Sequence, residues 1–123
     1  MTKAKKPEHI WNNNDLLREF LRLDKEYFGG KLPMPVTIAF RPIDALGHTF
    51  RYRTPGKRRS KNDRFGIHIS SKLRWSRRLW LETLVHEMTH LEQGNKYSCG
   101  FRGRRFNGRM RQLALQGVFD GIW

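Results

Sequence analysis

The sequence predicts a small α+β domain built from one helix, three short strand-like runs and two further helices. Three observations carry this. Leu16, Phe20, Leu23 and Tyr27 recur at helical spacing near the start. Phe65, Ile67 and Ile69 alternate with Gly66, His68 and Ser70, as in a strand with one buried face. Trp80, Leu84, Met88 and Leu91 again recur at helical spacing, in a longer segment bounded by Ser76 and Gly94.

Each element has its own local cause. Asn13 or Asn14 can cap a first helix running through Asp15 to about Phe28, and Gly29-Gly30 followed by Pro33 and Pro35 ends it. Val36 to Phe40 is β-branched and aromatic, and a second strand is expected from Gly47 to about Arg53, closed by the turn Thr54-Pro55-Gly56-Lys57. The alternation at Phe65 to Ser70 marks a third, which is expected at a sheet edge with His68 facing outward. Ser76 is the predicted N-cap of the long helix, and Gly94 or Asn95 closes it. A last helix is expected from Arg104 or Arg105, with Phe106, Met110 and Leu113 on its inner face. The apolar end, Val118 to Trp123, is expected to dock on the core. Residues 1–12 are expected to be a basic tail and residues 13–123 the domain.

Composition narrows the function. The chain has 123 residues, with 25 Lys and Arg against 11 Asp and Glu, a formal net charge of +14. No apolar run is long enough for a membrane span, and the charged N-terminus does not resemble a secretory signal. The single cysteine, Cys99, fits a reducing compartment, so a cytoplasmic protein is expected.

The chemistry concentrates in His86-Glu87-Met88-Thr89-His90, an HExxH motif inside the predicted long helix. Residues four apart share a helix face, so both imidazoles can bind one Zn²⁺ while Glu87 lies beside its open position. Glu87 would then take a proton from a zinc-bound water and pass it to a leaving amine, which is peptide-bond hydrolysis.

Several segments in order resemble the SprT-like family of zinc metallopeptidases. They are the first helix with Tyr27 to Pro33, the strand Val36 to Phe40, Gly47-His48-Thr49, Phe65 to Ser70, Glu82 to His90, and Gly103 to Asn107 with Met110. The resemblance spans about residues 14–115. It implies a zincin-like α+β domain with a short, mostly antiparallel sheet, an HExxH helix and a C-terminal helix, acting on DNA-associated proteins. It also implies a third zinc ligand, a histidine in an HGxxF element, which here reads Arg102-Gly103-Arg104-Arg105-Phe106. A protonated guanidinium has no lone pair to give a metal. Cys99 is the leading substitute; Asp120, His48 and His68 are others, and the site can also lack a third protein ligand. Glu92 lies about 240° round the helix from His86, away from the ligand face.

Positive charge clusters in three stretches. Arg58, Arg59 and Lys61 lie in the first, Arg74, Arg77 and Arg78 in the second, and Arg102, Arg104, Arg105 and Arg109 in the third. These are the expected contacts to a DNA backbone, in binding that is salt-sensitive and largely indifferent to sequence. Trp75, Tyr52 and Phe101 lie among them and could stack on an unpaired base. The alternative is a nucleic-acid-binding module that keeps this fold but has lost its metal, with Arg102 the feature in its favour.

Overall fold

The computed structural model describes residues 10–35, 37–52, 64–93 and 104–120. Within them the chain forms a small α+β domain of three α-helices and a three-stranded sheet. In order these are α1 (Asn13–Tyr27), β1 (Thr37–Arg41), β2 (Gly47–Tyr52), β3 (Arg64–Ser70), a short 3₁₀ turn (Ser71–Leu73), α2 (Arg77–Glu92) and α3 (Arg104–Leu115).

The cap of α1 is Asn12 rather than Asn13 or Asn14. Only Asn12 has an acid three residues ahead, and the two close a reciprocal box: Asp15 N–H donates to Asn12 Oδ1 at 3.1 Å, and Asn12 N–H to Asp15 Oδ2 at 2.8 Å. Asn13 is thereby released to accept from the Phe40 N–H at 2.9 Å, which ties β1 to the helix start. Trp11, expected in the tail, packs 5.6 Å from the Trp80 ring; its N–H donates to the Arg74 carbonyl at 3.1 Å and its carbonyl accepts from Arg74 Nε at 2.8 Å. The folded unit therefore begins before residue 13. At its other end α1 stops where Gly29 and Gly30 adopt φ of 69° and 70°, the left-handed region that glycine enters freely.

Strand order is β1-β3-β2, with β1 parallel and β2 antiparallel to β3. This corrects two expectations: the sheet is mixed rather than mostly antiparallel, and β3 is central rather than an edge. The cause lies in composition. β3 carries Ile67 and Ile69, both fully buried, and its backbone groups are best paired on both sides. The more polar β2, with Gly47, His48 and Thr49, takes an outer position.

Helices α1 and α2 pack on one face of this sheet, and α3 packs on α2. Leu16, Phe20 and Leu23 of α1, Ile67 and Ile69 of β3, and Trp80, Leu84, Met88 and Leu91 of α2 form one continuous core. Burying each such side chain contributes roughly 1.5–3 kcal/mol. Ser76 caps α2 as expected, accepting from the Leu79 N–H at 3.4 Å, and the helix closes on Gln93. On α3, Phe106 and Leu113 are buried and Met110 packs against the core. The chain after α3 turns at Gly117, φ 91°, and buries Val118. Residues 121–123 lie outside the described segments. Among the described residues, no helix is long and apolar enough to cross a membrane.

Candidate metal centre

Helix α2 brings His86 and His90 together one turn apart, with their Nε2 atoms separated by 3.0 Å. Two nitrogens at about 2.0–2.1 Å from one tetrahedral ion stand about 3.3 Å apart, so the pair fits a shared ion with a small adjustment. Phe106 of α3 fixes both rings, stacking on His90 at 4.5 Å and 21° and meeting His86 edge-on at 4.5 Å. Burial holds the His86 pKa below its ordinary value. It pushes that of His90 down to about 4, with the neighbouring His86 adding to the effect. Both rings are therefore neutral at pH 7 and keep the lone pairs a metal requires.

Glu87 is buried, with 4% of its surface exposed. Its position depends on β2. A Cβ on Gly47 would come within 2.7 Å of Thr83 Cγ2 and 3.3 Å of Glu87 Cγ, so only glycine lets this strand lie so close to α2. The close approach puts Thr49 Oγ1 2.9 Å from Glu87 Oε1 and 3.1 Å from the Glu87 carbonyl oxygen. Burial raises the Glu87 pKa to about 7, and the Thr49 hydrogen bond partly opposes it. One hydroxyl hydrogen serves only one acceptor at a time. A neutral Glu87 can donate to Thr49 while Thr49 donates to the carbonyl; an ionised Glu87 takes the Thr49 hydrogen itself.

His86 and Glu87 line a cleft of about 560 Å³, walled by Leu46 and Gly47, Glu82 and Thr83, Met110 and Phe119. Among the described residues, His86, Glu87 and His90 form the one group of three whose ligand atoms lie together, all within 4.8 Å. This group can hold a metal ion.

The proposed substitutes for a third ligand are resolved in part. His48 and His68 lie on the opposite face of the sheet and contact each other, Nε2 to Nδ1 at 3.1 Å, so they do not complete this group. The reason is strand periodicity: Thr49 and Ile67 face α2, and their neighbours His48 and His68 must face away. Asp120 is exposed, and its carboxylate lies against Gly117. Glu92 pairs with Arg109 at 2.8 Å, off the ligand face as expected. Cys99 and Arg102 lie outside the described residues.

The basic residues divide. Arg74 donates to the Trp11 carbonyl at 2.8 Å and lies over the Phe40 ring. Arg77 pairs with Glu19 at 3.1 Å. Arg109 joins three helices, bonding Glu92 and, at 2.7 Å, the Tyr27 carbonyl. All three have guanidinium donors committed to the fold. Arg78 and Arg105 are exposed; Arg58, Arg59 and Lys61 lie outside the described residues, as does the side chain of Arg104.

Sequence reasoning placed Gly47, Thr49 and Phe106 in segments that carry the resemblance, and Phe106 on an inner helix face, but gave none of them a role at the centre. The available signal was parity: Thr49 sits two residues from Gly47, on the strand face that must meet the HExxH helix. Comparison of the chain with protein-family models, curated proteins and solved structures gives no match.

Proposed function

We propose that this chain is a zinc metallopeptidase of SprT-like, zincin-like type that acts on DNA-associated proteins. The observation that carries the reading is the pair of imidazoles with Nε2 atoms 3.0 Å apart, next to the buried Glu87 carboxyl on an open cleft. His86 and His90 would hold Zn²⁺, with Cys99 as the leading third ligand. When bound, zinc lowers the pKa of water and polarises a peptide carbonyl. Glu87 is the general base and then the general acid. Thr49 fixes Oε1, which leaves Oε2 to accept a proton and return it to the leaving amine. A Glu87 pKa of about 7 suits both directions of transfer near neutrality. The cleft walls, with Leu46, Met110 and Phe119, would exclude water around an extended peptide. The charge of +14 favours a DNA backbone as the platform, in the cytoplasm and on the nucleoid.

Arg102, standing where the resemblance implies a ligand histidine, favours a second reading: a DNA-binding module without metal or activity. Elemental analysis of tag-free protein purified without chelator separates the two. One tightly held zinc per chain, lost in His86→Asn, supports the peptidase, and its loss in Cys99→Ala identifies the third ligand. No zinc after reconstitution refutes the peptidase reading. In the active protein, Glu87→Gln abolishes cleavage of DNA-bound protein while zinc and DNA binding persist; cleavage that survives removes Glu87 from the mechanism.

A further inference from the structure

The face of the sheet away from α2 carries a second pair of histidines. His48 of β2 and His68 of β3 are register partners on antiparallel strands, so both rings leave the sheet on the same side. Their nearest ring nitrogens, His48 Nε2 and His68 Nδ1, are 3.1 Å apart, with ring centroids 5.0 Å apart. Phe50, two residues along β2, stands 4.6 Å from the His68 ring and 5.4 Å from the His48 ring. It can lie there because β3 has glycine at the facing position. A Cβ on Gly66 would collide with the Phe50 ring. The pair is thus held by two paired strands and an aromatic wall, and both rings are half-buried.

We propose that His48 and His68 form a second, bidentate site for a borderline divalent transition ion such as Zn²⁺. Nitrogen ligands at about 2.0–2.1 Å from one ion stand about 2.9 Å apart at a right angle and about 3.3 Å apart at the tetrahedral angle. The observed 3.1 Å falls between these limits. Imidazole nitrogens select zinc, copper or nickel over magnesium and calcium, which prefer oxygen. The remaining positions on the ion are open to water or a small anion. Arg41, diagonal to His68 across the β1–β3 pair, lies on the same face, where its charge repels the ion and favours a small anion as the ion's further ligand. With only two protein ligands the site is exchangeable rather than permanent. Its effect is to clip β2, the strand that carries Gly47 and Thr49 to the HExxH helix, onto the central strand.

The test uses the full, tag-free chain labelled with ¹⁵N at histidine, carrying His86→Asn and His90→Asn to clear the other pair. Zn²⁺ is added while the ring nitrogens are followed by NMR. The expected result is that the His48 and His68 ring nitrogens shift together and saturate at one equivalent, and that adding His68→Gln abolishes the His48 response. Mg²⁺ at the same concentration leaves both rings unchanged. If the cleared chain does not fold, the wild-type protein is titrated past its first equivalent and the same two rings are read during the second. Rings that do not respond, that respond equally to Mg²⁺, or a His48 shift that persists in His68→Gln would overturn the proposal. The contact would then be a hydrogen bond between the two imidazoles and nothing more.

Discussion

Glu87 should destabilise the metal-free protein above neutral pH, and Glu87→Gln should relieve it. Glu87 is 4% exposed, and its pKa rises from 4.5 to about 7 on folding. A raised carboxyl pKa means that the folded state binds the proton more tightly than the unfolded state does. The stability this confers is fully present below pH 4.5 and is lost as pH rises through about 7. Each pKa unit corresponds to about 1.4 kcal/mol, so full ionisation costs on the order of 3 kcal/mol. Glutamine keeps the volume and a hydrogen-bonding group for Thr49 but cannot ionise. Metal-free Glu87→Gln should therefore match the wild type near pH 4.5 and exceed it by up to about 3 kcal/mol near pH 8.5, about 10 °C in Tm for a domain of this size. Thermal unfolding by circular dichroism in chelator, across that range, measures the difference; protonation of the histidines at low pH affects both proteins and cancels. With saturating zinc the gap should narrow, because a nearby cation favours the carboxylate. A stability difference that does not change with pH would falsify the argument, since it would mean that Glu87 titrates normally where it sits.

Three further predictions concern two contacts around Glu87 and the positive charge at the start of α3. Gly47→Ala places a Cβ 2.7 Å from Thr83 Cγ2 and should cost about 1–3 kcal/mol by overpacking, read as a lowered denaturation midpoint; an unchanged midpoint would show that β2 is free to move off α2. Thr49→Val removes the hydrogen bond that holds Glu87 in its ionised form, so the acidic limb of a pH–rate profile should move to higher pH, and a profile that stays in place would remove Thr49 as a positioning residue. Charge reversal at Arg104 and Arg105 should weaken DNA binding and flatten its dependence on salt, and equal affinity across a salt series would exclude that surface.

The parts of the fold that were legible in the sequence are those governed by one residue's neighbours along the chain. Ser76 as a cap, the glycine pair after α1, and the buried stripe from Trp80 to Leu91 each depend on local spacing. Strand order does not, because β3 pairs with two strands that precede it, and nothing in Phe65 to Ser70 states which of its edges is covered. The cap of α1 falls one or two residues before the expected Asn13 or Asn14 for a related reason. Asn12, Asn13 and Asn14 are chemically alike, and the choice among them is made by Asp15 on one side and by the Phe40 N–H, far along the chain, on the other. At the candidate centre, His86, Glu87 and His90 were legible because a helix fixes their relative geometry. Thr49, Gly47 and the Phe106 clamp were not, because each depends on how a second element approaches that helix.

The two histidine pairs show why ligand geometry alone does not define a catalytic site. Their nitrogen separations are nearly equal, 3.0 Å and 3.1 Å, so by distance either can serve one ion. Their surroundings differ in what can happen next. Beside His86 and His90 lies a buried carboxyl with a pKa near neutrality, next to a cleft large enough for a peptide. Beside His48 and His68 lie a phenyl ring and, diagonally, a guanidinium, neither of which can take a proton from water at pH 7. An ion on the sheet face would therefore bind without a base to assist it, and its consequence would be mechanical. The peptidase reading accordingly rests on Glu87 as much as on the histidines. If Glu87 were found to titrate as an ordinary exposed glutamate, the α2 pair would have the same standing as the strand pair: a metal site without a mechanism.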